Sequence, residues 1–234
     1  MNRPDQKIGG WVANKIDYES LGREIRREIL SMCERTGTGH VGSAFSVAEI
    51  LLVLYEEVLR GQPGEDGRDR LILSKGHACT ALYSTLHRRG VIGDADFSSF
   101  ATDGTRLGHH PQYEPGFGLE ANTGSLGHGL SIASGMAFAA RKIGNPARFF
   151  AVLSDGETNE GSVWEAAAFA SHHGLDYLSA TVDANKIQAL GHTSEILEPS
   201  SHLERWRGFG WDAVEVDGHD PEALAEAYRR VGQG

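Results

Sequence analysis

The sequence predicts an α/β fold in which a parallel sheet carries helices on both faces. Apolar runs of strand length alternate with helical patterns, an order typical of strand–helix–strand units. The chain has 234 residues, of which 40% are hydrophobic and 23% charged, so it contains enough apolar sequence for a sizeable core. This length fits one large domain or two small ones.

The first elements are predicted by composition and periodicity. Residues 1–16 are polar and irregular and are expected to form an N-terminal arm. Apolar residues then recur at helical spacing, which predicts a helix near 18–35. Ser46, followed three positions later by Glu49, matches a capping box, so a second helix is expected to start at Ser46 and to run to about Leu59.

The other elements follow from shorter patterns. Residues 101–124 hold Gly, His and Pro without a period, and a loop this long in a compact domain is usually functional. The last helix has Asp220 as its expected N-cap and Pro221 at its first position. In chain order, the remaining predictions are a strand at 71–73, helices at 78–89, 94–100 and 126–143, a strand at 149–154, a helix at 163–173, strands at 177–182 and 211–216, and a helix at 221–231.

Composition argues against several classes of partner. The formal net charge is −10, with 22 basic against 32 acidic residues, so no basic surplus is present for nucleic acid. The first 15 residues lack the apolar region of a signal peptide, and the longest apolar run, 50–55, is far shorter than the roughly 20 residues that span a bilayer. Two cysteines suit a reducing compartment. We expect a cytoplasmic protein with no nucleic-acid or membrane partner.

One glycine-rich segment could be mistaken for a dinucleotide-binding motif. Residues 37–42 match G-x-G-x-x-G, but that motif must follow a strand and open a helix. Here it follows a predicted helix and contains a histidine. It is better interpreted as a bend that presents His40.

Polar residues follow two predicted neighbouring strands. The strand at 149–154 is followed by Asp155, and the strand at 177–182 by Asp183 and Asn185. Ligands of parallel sheets bind outside the carboxyl ends of the strands, and carboxylate and amide oxygens are suitable ligands for magnesium. Taken alone, these residues leave a second interpretation open, in which Asp155 caps the next helix and Asn185 makes a turn.

Five histidines favour the ligand-binding interpretation. They fall in glycine-containing turns or at helix starts, where they could donate hydrogen bonds to phosphate and hydroxyl groups without permanent charge. An acidic chain would bind a diphosphate poorly unless a metal neutralised it. Isolated loop histidines are otherwise ordinary surface residues. The five are His40, His77, His109, His110 and His128.

Six ordered segments carry a resemblance to a known family. They are GHVGS at 39–43, DRLILSKGHA at 69–78, GHHP at 108–111, TGSLGHG at 123–129, DGETNEGSVWEA at 155–166 and DANKI at 183–187. Together they resemble the N-terminal, diphosphate-binding domain of transketolase, a thiamine-diphosphate enzyme. The matching stretches run from about residue 17 to 220. The resemblance implies a thiamine-diphosphate-binding fold for residues 17–234.

The resemblance also implies cofactors and roles for individual residues. Thiamine diphosphate and Mg²⁺, or another divalent cation such as Ca²⁺ or Mn²⁺, are the implied cofactors. The metal would be held by Asp155, Asn185 and the backbone carbonyl of Ile187. The residues implied to contact the cofactor are His77, Gly124, Ser125, Leu126, Asp155, Gly156, Glu157 and Asn185. The residues implied to be catalytic are His40, His77 and His110, which line the substrate channel, and Glu160, at the subunit interface that links two active sites.

The chain departs from the family pattern in three residues. Ser154 replaces a glycine, Val41 replaces a proline, and His128 occupies a glutamine position. A serine at 154 would be strained only if the backbone there required a positive φ. The family's domain also continues through another strand and a histidine-bearing loop. We expect either that the sequence is trimmed at this end or that the protein does without that contact.

The predicted function is that of the N-terminal subunit of a two-component transketolase. Such an enzyme transfers a two-carbon ketol unit from a ketose to an aldehyde, so sugars or sugar phosphates are the expected substrates. A separate C-terminal subunit would supply the pyrimidine-binding domain, in an α2β2 heterotetramer. The alternatives are another thiamine-diphosphate carboligase, a 2-oxo acid dehydrogenase-type subunit, or a non-catalytic binding or regulatory subunit.

Overall fold

A parallel three-stranded sheet forms the centre of the structure, a computed structural model that describes residues 16–198 and 200–233. The predicted N-terminal arm therefore lies outside the described residues, apart from Ile16. The strands are β1 (Arg70–Leu73), β2 (Phe149–Ser154) and β3 (Leu178–Asp183), in the order β1-β2-β3. The register pairs Leu73 with Val152 and Ser154 with Asp183. The predicted parallel sheet is confirmed.

Ten α-helices occur in the described part of the chain, together with short turns of helix. The helices are α1 (Tyr18–Thr36), α2 (Val41–Ser46), α3 (Ala48–Val53), α4 (Cys79–Arg88), α5 (Asp94–Ser98), α6 (Gly129–Lys142), α7 (Gly161–His172), α8 (Thr193–Ile196), α9 (His202–Gly208) and α10 (Pro221–Arg229). A π-helical turn, Leu54–Val58, continues α3, and 3₁₀ turns span Gly76–Ala78, Pro115–Phe117 and Gly156–Asn159. A small hairpin pairs β4 (Ile187–Gln188) with β5 (Gly191–His192).

Strand β2 separates two apolar cores, because successive side chains of a strand point to opposite faces. Phe150 and Val152 belong to the core formed with α1, α3, α4 and α10. Ala151 and Leu153 belong to the core formed with α6 and α7. Every residue of β2 is buried, as expected for a parallel strand that is covered on both sides. The prediction of helices on both faces is therefore confirmed.

The predicted helix start at Ser46 is wrong. Ser46 is the last residue of α2, and Val47 separates it from α3 without any side-chain cap. Residues 41–46 are already helical, so the Ser46 hydroxyl does not cap the next turn. It donates instead to Oδ1 of Asp183 at 2.6 Å. Helix α6 also starts later than predicted, at Gly129, because Gly127 has φ +84° and interrupts the helical backbone.

The predicted strand at 211–216 is absent from the described structure. In the described residues, this segment forms hydrogen-bonded pairs with no strand, and Val214 and Val216 are exposed. A strand requires a hydrogen-bonded neighbour, and in the described residues β3 is the last strand of its sheet. The helix that follows agrees with its prediction, since Asp220 Oδ1 accepts from the backbone N–H groups of Glu222 and Ala223. No helix in the described residues is long and apolar enough to cross a membrane.

Candidate active site

The candidate site lies at the carboxyl edge of the sheet, where β2 and β3 end side by side. Ser154 is paired with Asp183, and the backbone N–H of Asp155 donates to the carbonyl of Asp183 at 3.1 Å. The two strands therefore bring Asp155 and the 183–185 segment together. Ser154 itself is an ordinary strand residue and does not have a positive φ, so its replacement of a glycine causes no backbone strain.

Asp155 is a buried carboxylate without a partner cation in the described residues. Its residue exposure is 4%, and its two oxygens accept from the backbone N–H groups of Gly156 and Lys186, each at 2.7 Å. Burial raises the pKa of Asp155, the two backbone hydrogen bonds oppose this shift, and the nearby charge of Asp183 adds to it. The ionised carboxylate is therefore less stable than usual, and a bound cation would relieve that cost.

A second carboxylate at this edge, Asp183, is fully partnered. Oδ2 lies 2.5 Å from Nζ of Lys75, which has no solvent exposure, and Oδ1 accepts from the Ser46 hydroxyl. Sequence reasoning assigned no role in the site to Lys75, Ser46 or Asp183. The signal was available for two of them, because Lys75 and Asp183 belong to segments that resemble the family.

Asn185 lies in the turn that follows β3. Its Nδ2 donates to Oδ2 of Asp183 at 3.1 Å, and its Oδ1 accepts from the backbone N–H of Ile187 at 3.0 Å. Lys186 has a left-handed backbone with φ +68°, which turns the chain back into the β4–β5 hairpin. That turn also directs the Lys186 N–H at Asp155. The three predicted metal residues therefore share one short, hydrogen-bonded region.

Two glycines allow a second pair of turns to approach closely. A Cβ on Gly76 would lie 2.7 Å from the backbone nitrogen of Gly124. Gly124 has φ +125°, and a Cβ there would lie 2.6 Å from Cδ2 of His110. Any larger side chain at either position would push these turns apart. The glycines thus bring the predicted cofactor residue Gly124 next to the predicted substrate residue His110.

The three predicted substrate histidines influence one another. The rings of His40 and His77 have centroids 5.1 Å apart. Burial, Lys75 and His40 lower the pKa of His77 to about 4. Burial and the neighbouring histidines His40 and His109 lower the pKa of His110. At neutral pH, His77 is therefore uncharged and can donate one hydrogen bond and accept another.

Glu157 is buried beside the turn that precedes α6. It has no solvent exposure, and its oxygens accept from the Ser74 hydroxyl, from the backbone N–H of Gly127 at 2.8 Å and from that of Ser154 at 3.3 Å. Burial raises its pKa, against these hydrogen bonds. Glu157 thus stabilises the 124–129 turn through its hydrogen bond with Gly127. A direct contact between Glu157 and the cofactor remains a prediction.

The other predicted residues border this edge. Ser125 and His128 are exposed, and Leu126 is half-buried in the turn before α6. Glu160 is exposed and precedes α7, where its Cβ would lie 2.7 Å from a Cβ on Gly127.

The edge fits an oxygen-rich ligand. Nε2 of Gln188 and Oγ1 of Thr123 are buried and have no hydrogen-bond partner among the described residues. Gln188 packs on Gly156, and Thr123 packs on Gly76. In the described residues, no group of three or more His, Cys, Asp or Glu could hold a metal. A metal bound by Asp155 and Asn185 would therefore need further oxygens, and Mg²⁺ commonly takes these from phosphates and water.

Comparison with known proteins gives the family. The model of the transketolase, thiamine diphosphate binding domain, matches residues 19–232. The chain belongs to this family. It is 38% identical over 222 residues to the 6-deoxy-6-sulfo-D-fructose transketolase subunit SqwG of Clostridium sp. (strain MSTE9), covering 93% of this chain and 80% of that protein. It is 36% identical to one of the subunits of the apulose-4-phosphate transketolase of Phocaeicola vulgatus, covering 91% and 76%.

Solved structures agree with the sequence relatives. The transketolase from Leishmania mexicana superposes with a TM-score of 0.88 at 27% identity, over 94% of this chain and 35% of that one. The predicted thiamine-diphosphate-binding fold is therefore confirmed. The relatives also confirm the predicted N-terminal transketolase subunit and the transketolase-type transferase activity class. The chain spans about a third of the Leishmania enzyme, so the activity, substrates and partners of a whole transketolase are treated below as proposals.

Proposed function

We propose that the chain binds the diphosphate of thiamine diphosphate through Mg²⁺, which Asp155, Asn185 and the backbone carbonyl of Ile187 would hold. The observation that carries this proposal is Asp155, a carboxylate buried at the carboxyl edge of the sheet without a partner cation in the described residues. The metal would neutralise both this carboxylate and the diphosphate. Ca²⁺ or Mn²⁺ could replace Mg²⁺ with the same oxygen ligands.

Further residues would hold the ligand by hydrogen bonds. Gln188 and Thr123 each have a buried polar atom without a partner, and both lie against glycines of the site. The backbone of Gly156 and the ring of His77 would contact the diphosphate. The 124–126 turn would lie beside the cofactor rings.

When bound, thiamine diphosphate supplies the carbanion chemistry that ketol transfer requires. The part played by this chain is to orient the substrate. Neutral histidines can donate to hydroxyl oxygens of a ketose without attracting a competing anion. The close pair His40–His77 and the neighbouring His110 would form such a donor set for a sugar or sugar phosphate.

A separate pyrimidine-binding subunit is proposed as partner. The support comes from the two relatives that are subunits and that the chain covers over 80% and 76% of their length. Two copies of each subunit would form a heterotetramer, with Glu160 exposed at the edge of the site where a partner could contact it. A cytoplasmic location is supported by two free, buried cysteines.

Asp155→Ala tests the proposal. We expect metal-dependent binding of thiamine diphosphate to fall by more than the roughly 10–100-fold that loss of an outer partner of a metal ligand costs. Calorimetry on the complex with its partner subunit, with and without Mg²⁺, would measure this. The matched control is Asp94→Ala, because the Asp94 side chain is 99% exposed and lies outside the site.

Unchanged binding by the Asp155→Ala variant would contradict the metal assignment. Ketol transfer from a ketose to an aldehyde should be lost together with binding. If the complex instead decarboxylates a 2-oxo acid and transfers no ketol, the transketolase reaction is wrong and the 2-oxo acid dehydrogenase alternative holds. Binding of the cofactor without any turnover would favour the regulatory alternative.

A further inference from the structure

We propose that Asp183 is a positioning residue that orients Asn185 toward the metal, with Lys75 and Ser46 holding Asp183 in place. This inference rests on the proposed function, because it concerns how the proposed metal ligands are arranged. Asp183 was not among the predicted ligands, although it is a buried carboxylate next to Asp155.

The hydrogen bonds of Asp183 explain why it would not bind the metal itself. Oδ1 accepts from the Ser46 hydroxyl at 2.6 Å. Oδ2 accepts from Nζ of Lys75 at 2.5 Å and from Nδ2 of Asn185 at 3.1 Å. Both oxygens therefore have donors already, one of which carries a full positive charge. In the described residues, Asp155 accepts hydrogen bonds only from backbone N–H groups and forms no salt bridge with a Lys or Arg.

The same contacts fix the orientation of the Asn185 amide. An ionised carboxylate can only accept hydrogen bonds, so the group of Asn185 that faces Asp183 must be Nδ2. Oδ1 is then directed away from Asp183, where it accepts from the Ile187 N–H. An amide rotated by half a turn would place its two N–H donors where the metal needs an oxygen. Asp183 opposes this rotation, because the rotated amide would set its oxygen against a carboxylate oxygen, and the Ile187 N–H opposes it as well.

Lys75 holds that carboxylate in place. Its side chain has no solvent exposure, and Asp183 is 7% exposed, so the pair is screened little by water. The pair also joins distant parts of the chain, since Lys75 follows β1, Asp183 ends β3 and Ser46 ends α2. The orientation of Asn185 is therefore set by contacts from these elements in addition to the Ile187 N–H of its own turn.

The test compares three variants in the complex of the chain with its partner subunit. Asp183→Asn lets the residue offer an N–H to Asn185, so the amide of Asn185 can rotate. Binding of Mn²⁺ at saturating thiamine diphosphate, followed by the loss of the free Mn²⁺ signal in electron paramagnetic resonance, should weaken about 10–100-fold. Ser46→Ala removes one of two anchors and should weaken binding less. Ser179→Ala, on the same strand, is the matched control and should bind as the parent does.

Asp183→Asn leaves Lys75 buried without a partner and could fail to fold. The double variant Lys75→Met, Asp183→Asn removes both charges, which a folded protein commonly tolerates. We expect its melting temperature to recover toward that of the parent, while Mn²⁺ binding stays at least tenfold weaker. Recovery of both would show a purely structural role and overturn the inference. Asp155→Ala run alongside separates the two proposals: if it binds Mn²⁺ normally, the proposed function itself fails.

Discussion

The two ends of the central strands differ in how their buried carboxylates are paired with cations. At the amino end, Asp69 precedes β1 and Arg148 precedes β2. The Asp69 side chain has no solvent exposure, and its oxygens accept from the side chains and backbone N–H groups of Arg60 and Arg148. Burial raises the pKa of Asp69, but these hydrogen bonds more than offset the effect and the pKa lies below its ordinary value.

At the carboxyl end, three carboxylates are buried and only one forms a salt bridge in the described residues. Lys75 pairs with Asp183, whereas Asp155 and Glu157 accept hydrogen bonds without a partner cation and have raised pKa values. At the amino end of the sheet, the buried carboxylate is therefore balanced by arginines. At the carboxyl end, two of the three buried carboxylates form no salt bridge in the described residues. The comparison indicates that the amino end serves stability, whereas the carboxyl end keeps a charge available for a ligand.

The largest expected effect on stability is at the amino end. Asp69→Ala removes the partner of two arginines, and Arg148 is mostly buried, with a side-chain exposure of 14%. Breaking a buried ion pair from one side costs about 3–5 kcal/mol, because it leaves an uncompensated charge. We expect the free energy of unfolding, measured by urea denaturation, to fall by about that amount.

Asp155→Ala is the comparison variant for Asp69→Ala. It leaves no buried cation without its partner in the described residues, so its loss of unfolding free energy should be smaller than that of Asp69→Ala. We nevertheless expect it to remove the proposed metal-dependent binding. Equal losses of unfolding free energy in the two variants would refute the distinction between the two ends of the sheet.

The positions of Asp155 and Asn185 at the carboxyl end were predictable because local sequence determines them. Strand β2 has the predicted bounds, 149–154, since an unbroken apolar run of six residues needs burial on both faces. Asp155 and Asn185 follow strands in the sequence, and parallel pairing alone brings them to one edge. The histidines were noticed from their positions in turns, and the resemblance added the roles of His40, His77 and His110.

The groups that complete the site were less predictable because they depend on tertiary contacts. Lys75 and Asp183 are 108 residues apart in sequence, and Ser46 and Asp183 are 137 apart. Ser46 matched a capping box, but its hydroxyl donates a hydrogen bond to the Asp183 carboxylate instead. The strand predicted at 211–216 failed for a related reason: the pattern was suitable, but the described sheet offers it no partner strand.

A substitution in helix α6 should have an intermediate effect on the free energy of unfolding. It tests how tightly the carboxyl end of the sheet is packed. A Cβ on Gly129 would lie 2.8 Å from Cα of Ser74 and closer still to its Oγ. Gly129→Ala should therefore cost about 1–3 kcal/mol of unfolding free energy, as overpacking typically does. It should also disturb the hydrogen bond that the Ser74 hydroxyl donates to Glu157.

Gly135→Ala is the matched control for Gly129→Ala, on the same helix. Apart from its chain neighbours and the nearby backbone of its own helix, no atom of the described residues lies within 4 Å of its added Cβ, so the substitution should stabilise the helix by about 0.5–1 kcal/mol. A neutral Gly129→Ala variant would mean that the carboxyl end is loosely packed, which would weaken the contrast between the two ends.

The smallest expected effect is a difference in how the stability contributions of the two ends depend on pH. The pKa of His77 is about 4 in the folded chain, against ~6.5 for an unfolded histidine. Its contribution to stability is therefore complete above ~6.5 and is lost as the pH falls toward 4. Asp69 also has a lowered pKa, so its contribution is complete above ~3.9 and is lost only below that value.

Urea denaturation between pH 7 and 4.5 tests this order. We expect the parent to lose unfolding free energy in that range and His77→Gln to lose less, because glutamine does not titrate. In the folded parent, the His77 ring signal in nuclear magnetic resonance should stay constant from pH 8 to 5.5. A midpoint near 6.5 would mean that His77 is charged in mildly acidic solution. The carboxyl end would then carry a second cation besides Lys75 close to the buried carboxylates, and the two ends would differ only in degree.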